Sequence, residues 1–419
     1  MSVKIRILSA SNRHMQRAGY LKLLAQSAAR TETSNLNALG ASVVDAVTKR
    51  QRVAPPYSEP LRDYARVRLT DRIYSENRAA LLAEKPTTLE VQDLYLADPT
   101  LPSSTGKLVV NSRRFYAYLG TALDLVKPGT WSAMTRAMLL LHVTPPEELA
   151  AFSTYNEKLN PLRISPEQAA VLLYCFLDND ALILQPLFDY LLANGPGFDE
   201  RTAGDFLPGI IRKAVAEMRK SALNVEDRER LGVLEKSADN IEAWKGKPYT
   251  GGGAREESIR PRLEPFCDLG LFAKPDRHRF AYQLTPAFRR LMANWSGLDT
   301  DNFLTGRFFT TLGGIHEIKM QDAEEDEARA ALQDAGEKLK STLGYSPILD
   351  CSLLAGIRLL FNSHRVLEIS RSLDLLKSWQ KQAPDIVRFT VDRMGMMAYV
   401  KFLKPATQPG QQPTLPIKI

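Results

Sequence analysis

The chain has 419 residues, 44% of them hydrophobic and 25% charged, with 55 basic against 48 acidic residues and a formal net charge of +7. That length exceeds what one hydrophobic core organises, so several domains are expected; the composition excludes collagenous, mucin-like and wholly disordered chains. Cys175, Cys267 and Cys351 are widely spaced in apolar surroundings, which excludes a disulfide scaffold and points to a reducing, cytoplasmic setting.

The positive charge is concentrated at the start. Residues 1–80 hold 14 Lys and Arg against 6 Asp and Glu, so the remainder is close to neutral. Such a basic segment either contacts phosphates or covers an acidic partner, and Arg66 and Arg68 are its candidate contacts. Arg13 and Arg17 interrupt the N-terminal apolar stretches, so no export signal is expected. Ala133 to Val143, broken by Arg136, is too short to cross a membrane, and no membrane association is expected. Residues 1–60 form a basic N-terminal segment with weak helical periodicity, closed by the proline-rich stretch Arg52 to Pro60. Residues 61–145 read as helical, with a long pattern from Leu61 to Ala83. A second helix there is opened by Arg113 and Arg114, carried by Phe115, Tyr118, Leu119, Ala122 and Leu123, and stopped by Pro128-Gly129.

Residues 146–243 read as an all-α domain. Ser165-Pro166-Glu167-Gln168 is a helix start with a cap, a first-turn proline and a first-turn acid. Asp178-Asn179-Asp180 is expected to be a turn, followed by the apolar helix Leu182 to Leu192, a break at Asn194 to Gly197, and helices at Ala203–Lys220 and Val225–Ala243. Asp178 and Asp180 have calcium-loop spacing, but the central glycine and closing glutamate are missing, so the turn is preferred.

Residues 244–305 carry the most informative pattern. Gly251-Gly252-Gly253 precedes a charged helix with Arg255, Arg260 and Arg262, then Asp268-Leu269-Gly270-Leu271 and Phe272. A basic tip with Arg277, His278 and Arg279 follows. Phe280, Tyr282 and Leu284 then alternate as in a half-buried strand, and Thr285-Pro286 starts a helix running to Trp295. Helix, short strand, basic tip, strand and helix in this order resemble the winged helix-turn-helix superfamily, over about Tyr249 to Gly297. The resemblance implies that Arg255, Arg260 and Arg262 lie on a recognition helix for the major groove. It places Arg277, His278 and Arg279 on a wing reaching phosphate or minor groove. Pro261 and Pro265 fall inside that helix and bend or shorten it.

Two weaker copies are expected. A shift of 144 residues superposes Leu119, Asp124 and Leu125 on Leu263, Asp268 and Leu269, suggesting a first winged helix at 61–145 with Arg113 and Arg114 opening its helix. Residues 306–346 read as an acidic helical connector, where Asp322 to Glu327 begin a solvent-facing helix. Residues 347–404 read as α+β: a helix Ser352–Phe361, Ser363 as cap, an amphipathic helix with Val366, Ile369, Leu373 and Leu376 on one face, and two strands around Met394-Gly395. This suits either a plain packing domain or a third winged helix, with His364, Arg365, Arg371, Lys377 and Arg393 as its basic candidates. Residues 405–419 are Pro- and Gln-rich and expected to be disordered.

Catalytic signatures are missing. The five histidines are scattered without metal-ligand spacing to cysteine, and no phosphate loop, dinucleotide fingerprint or GxSxG elbow occurs. The expectation is therefore a non-enzymatic protein without metal or cofactor: mainly α with short β-hairpins, multi-domain, with tandem winged-helix-like modules around a helical middle segment. Double-stranded DNA is the expected partner, in the service of transcription regulation or as the DNA-targeting subunit of a bacterial replication, partition or phage-defence complex. The alternative is a protein-interaction scaffold whose winged helices dock partner proteins or self-associate. The two differ in whether the recognition-helix arginines face outward or are buried against neighbouring elements.

Overall fold

The computed structural model describes residues 6–8, 18–19, 21–22, 25, 119–125, 135–145, 164–220, 225–247, 254–274, 281–341, 343–391 and 397–403. Over these residues the protein is mainly helical with a few short strands, as the sequence leads one to expect. The chain divides into two compact units, Met1–Lys319 and Met320–Ile419.

Unit 1 contains α1 (Thr135–His142), α2 (Pro166–Ala193), β1 (Gly197–Asp199), α3 (Glu200–Met218), α4 (Val225–Glu242), α5 (Ala254–Ile259), α6 (Glu264–Asp268), β2 (Phe272–Ala273), β3 (Ala281–Leu284), α7 (Pro286–Trp295), α8 (Thr300–Gly306) and α9 (Phe308–Ile315). α2 starts where its cap residues require. The Gln168 amide donates to Ser165 Oγ (3.3 Å) and the Ser165 amide to Gln168 Oε1 (2.8 Å), a reciprocal capping box. α2 is long and apolar enough to cross a membrane, but 83% of its most apolar window is buried within the unit. The expected turn at Asp178–Asp180 is instead a kink inside this helix: Asp180 leaves helical geometry at φ −131° and ψ 18°, and the helix resumes beyond it.

The sheet of unit 1 has the order β1-β3-β2, all pairs antiparallel, with Phe198 opposite Tyr282 and Phe272 opposite Leu284. Tyr282 and Leu284 point inward while Ala281 and Gln283 face solvent, so the expected alternation is observed. Segments expected in two domains, 146–243 and 244–305, thus share one sheet and one core. Its centre is aromatic: Phe188 on α2 meets Phe266, Phe272, Phe288 and Trp295. Thr285 Oγ1 accepts from the Phe288 amide (3.2 Å) and caps α7, as its place before Pro286 implies.

The proposed internal repeat has a local basis, in a different register. Leu125 N–H bonds Gly120 O and Asp124 N–H bonds Thr121 O; Leu271 N–H bonds Phe266 O and Gly270 N–H bonds Cys267 O. Both are helix ends closed by a residue at positive φ (Asp124 54°, Gly270 77°) followed by a buried leucine. The equivalence is therefore Asp124 to Gly270 and Leu125 to Leu271. It records a common way of ending a helix and says nothing of a second domain.

Unit 2 contains β4 (Gln321–Asp322), α10 (Glu325–Leu339), β5 (Ser346–Pro347), α11 (Ile348–Ser363), β6 (Arg365–Val366), α12 (Ile369–Gln382), β7 (Val387–Val391) and β8 (Met397–Phe402). β5, β8 and β7 form an antiparallel sheet in that order, and β4 pairs parallel with β6. The acidic run starts α10 as expected, and Glu324 and Glu327 form its capping box. Ser363 is the last residue of α11 and does not cap the next helix. His364 ends α11 at φ 55°, Val366 lies on β6, and α12 begins after Glu368.

Gly336 on α10 has no room for a side chain. A Cβ there would lie 2.3 Å from Phe402, whose ring also meets Trp379 on α12 at 5.8 Å. Gly336→Ala should therefore destabilise unit 2 by about 1–3 kcal/mol despite alanine's better helix propensity. Urea denaturation checks this, and a neutral or stabilising result would refute the close approach.

Candidate nucleic-acid interface

The three arginines expected on a DNA-facing helix of unit 1 point inward, which corrects that expectation. Pro261 and Pro265 divide the segment into α5, a single 3-10 turn at Arg260–Arg262, and α6. The short pieces turn each guanidinium toward an acid distant in the chain. Arg255 is 3% exposed; its Nη1 donates to Asp205 Oδ1 (2.7 Å) and its Nη2 to Lys247 O (3.2 Å). Its stem crosses α3 at Gly204, where a Cβ would lie 2.7 Å from Arg255 Cγ. α4, inserted between α3 and α5, packs against both.

Arg262 is also 3% exposed and pairs with Asp180, which is wholly buried: Nε to Oδ2 is 2.8 Å. Its remaining donors reach Ser258 O (2.9 Å) and Leu8 O (2.8 Å), and the Leu8 amide donates to Asp180 Oδ1 (2.8 Å). Burial raises the Asp180 carboxyl above its ordinary value, against the opposing pull of Arg262 and the Leu8 amide. The kink in α2 therefore receives the N-terminal residues Arg6–Leu8. The Leu182 amide bonds Arg6 O, Arg230 bonds Ile7 O (2.7 Å), and Arg6 and Arg136 both pair with Asp178. Asp178 and Asp180 are occupied by arginines, and among the described residues no group of three or more His, Cys, Asp or Glu could hold a metal ion.

Arg260 donates from Nε to Glu200 Oε1 (2.7 Å) in a second buried cluster. The Tyr282 hydroxyl lies 2.6 Å from Glu264 Oε1 and 3.1 Å from Glu200 Oε2, with Lys274 Nζ bonded to Glu264. One hydroxyl proton cannot serve two carboxylates, so this arrangement favours a proton on one of them. Burial raises the Glu200 carboxyl above its ordinary value against the pull of Arg260, and burial beside Glu264 and Glu200 pushes the Tyr282 hydroxyl well up. A carboxyl raised on folding stabilises most when protonated, so its contribution is present at low pH and is lost as pH rises through the raised value. Glu200→Gln should flatten the dependence of unfolding free energy as pH rises above the ordinary carboxylate range. Urea titrations over that rise would refute the assignment if the slope stayed the same.

Of the other expected contacts, Arg277, His278, Arg279, Arg113, Arg114, Arg66 and Arg68 lie outside the described residues, as does Arg393. In unit 2, Arg365 and Arg371 have internal partners: Arg365 pairs with Glu327 (3.4 Å), and Arg371 Nη2 donates to Ala323 O (2.6 Å). His364 is exposed at the end of α11.

α12 does present an outward face. Ile369, Ser372, Leu376 and Trp379 are buried, so the opposite stripe is Ser370, Asp374, Lys377 and Lys381. Among the described residues Lys377 pairs with Asp374 at 3.5 Å, an exposed pair of small net worth. Lys381, and Arg388 on β7, are exposed and make no ion pair among the described residues. Sequence reasoning named Lys377 and missed Lys381, although four-residue spacing places both on one face, and it missed Arg388 on the outer edge of the strand. Comparison of the chain with protein-family models, with curated proteins and with solved structures gives no match in any of the three.

Proposed function

We propose that the protein binds double-stranded DNA through unit 2, a winged-helix module in which α12 enters the major groove and the β7–β8 hairpin is the wing. The order α10, β5, α11, α12, β7, β8 with sheet order β5-β8-β7 supports that reading, since it is helix, strand, two helices and a hairpin closing on the first strand. The observation that carries it is the outward stripe of α12, where Lys377 and Lys381 stand clear of the core with Arg388 on the following strand. Cations so placed neutralise phosphates and give salt-sensitive affinity. Regulation of transcription, or the DNA-targeting role in a replication, partition or defence complex, fits such a module.

A specific observation favours a second reading for unit 1. The order α2, β1, α3, α5–α6, β2, β3 with sheet order β1-β3-β2 is of the same kind, but its arginines are internal and α4 packs on α5. On this reading unit 1 is a winged-helix-like body that docks protein partners and carries no duplex contact on α5–α6.

Fluorescence anisotropy of the full-length chain on duplex DNA, at about 50 mM and about 150 mM salt, tests the proposal. The variant Lys377→Ala/Lys381→Ala/Arg388→Ala should bind about ten-fold or more weakly at the lower salt, with a salt slope shallower by about two to three. No binding at low salt would overturn the DNA reading and leave docking. Binding unchanged in the variant would remove the site from unit 2.

A further inference from the structure

We infer that the acidic arm opening unit 2, Gln321–Glu327, is an intramolecular competitor of DNA at the entry end of α12. This rests on the proposed DNA reading and adds a regulatory contact to it. β6 connects α11 to α12, and β4 lies parallel to it with Gln321 opposite Arg365 and Asp322 opposite Val366. The Gln321 amide bonds His364 O (3.2 Å) and the Ala323 amide bonds Val366 O (2.9 Å). The arm therefore runs along the corner between the two helices.

Its side chains and carbonyls occupy the cations at that corner. Arg365 Nη1 donates to Gln321 Oε1 (2.6 Å) and its Nε faces Glu327, while Arg371, in the first turn of α12, gives Nη2 to Ala323 O. In helix-turn-helix complexes the N-terminal residues of the second helix meet base edges, so Arg371 is placed for that contact and is engaged elsewhere. Asp322, Glu324, Glu325 and Asp326 of the same segment are exposed and have the sign of phosphate. Displacing Gln321–Glu324 would release Arg371 from Ala323 O and Arg365 from Gln321, and would move Asp322 and Glu324 away. Ahead of α10 the attachment is slight: Gln321–Glu324 are held by a two-residue strand pair, two arginine contacts and one buried methyl, Ala323, whereas Glu325–Glu327 belong to the first turn of α10. Segments held so weakly open at little cost.

Duplex binding by the full-length chain tests this. Asp322→Asn/Glu324→Gln/Glu325→Gln/Glu327→Gln removes four of the five acids of the arm and keeps acceptors at both capping-box positions. It should bind duplex about five-fold or more tightly at low salt, with a salt slope steeper by about one to two. Gln321→Pro removes the amide that bonds His364 O without touching the acids, and should raise affinity in the same direction. Arg365→Ala/Arg371→Ala should change affinity little in the natural arm and abolish the gain in the substituted one. If the natural chain binds DNA but neither arm variant binds more tightly, the arm is no competitor and the DNA reading stands. A gain that survives loss of both arginines would overturn the competition for these residues in favour of bulk charge. No binding by any variant would sink the DNA reading itself.

Discussion

Arg262→Ala should lower the stability of unit 1 by about 3–5 kcal/mol, the cost of leaving a buried carboxylate without its cation. Asp180 has no access to solvent, and after the substitution the Leu8 amide is its remaining donor among the described residues. The same guanidinium holds Ser258 O and Leu8 O, so α2, α5 and the N-terminal residues loosen together. Arg262→Lys should recover little, because one ammonium cannot reproduce the planar set of contacts. Asp180→Leu/Arg262→Met, which removes both charges, should be less damaging than either single change. Calorimetry of the full chain should show the unit 1 transition lowered by roughly 10 °C in Arg262→Ala. A melting curve within about 1 °C of the natural chain would refute the buried pair. The result also separates roles: an arginine that reads DNA would leave the melting curve almost unmoved.

That contrast marks where the sequence stopped being informative. Local chemistry was legible: Ser165 and Thr285 cap the helices they precede, Tyr282 and Leu284 alternate on a strand, and Asp322 to Glu327 lead into α10. Each depends on neighbours a few residues away. The direction of an arginine depends on acids that are distant in the chain. Arg255, Arg260 and Arg262 find Asp205, Glu200 and Asp180 at separations of 50, 60 and 82 residues. Nothing local distinguishes such an arginine from one that faces phosphate. The Asp178–Asp180 segment was misread for the same reason, since its partners include Arg6 and Leu8, whose hydrogen bonds to it span 172 residues. In unit 2 the helix pair was legible, but β6 was not. Two residues paired to β4 leave no periodicity to read, so Val366 was assigned to the face of a helix that begins later.

The largest packing effect is expected at Phe188. The ring is fully buried, with centroids of Phe266 at 5.2 Å, Phe272 at 5.5 Å, Phe288 at 5.2 Å and Trp295 at 6.2 Å, all edge-to-face. These rings come from α6, β2 and α7, so one side chain of α2 joins the three elements around the unit 1 hairpin. Phe188→Ala removes the transfer energy of the ring and leaves a cavity that four aromatic neighbours cannot fill by small movements; the cost should be about 3–5 kcal/mol. Phe188→Leu keeps most of the volume and should cost less than half of that. Trp295 offers a local readout, because its indole N–H is buried without a hydrogen-bond partner among the described residues. Water entering the cavity would bond that N–H and shift its emission to longer wavelength, a change absent from a Trp295→Phe background. If alanine and leucine destabilised unit 1 equally, the ring would not be the element that closes this core. Should Phe188→Ala also leave duplex affinity unchanged at temperatures below its melting, the separation of a structural unit 1 from a DNA-contacting unit 2 would gain independent support.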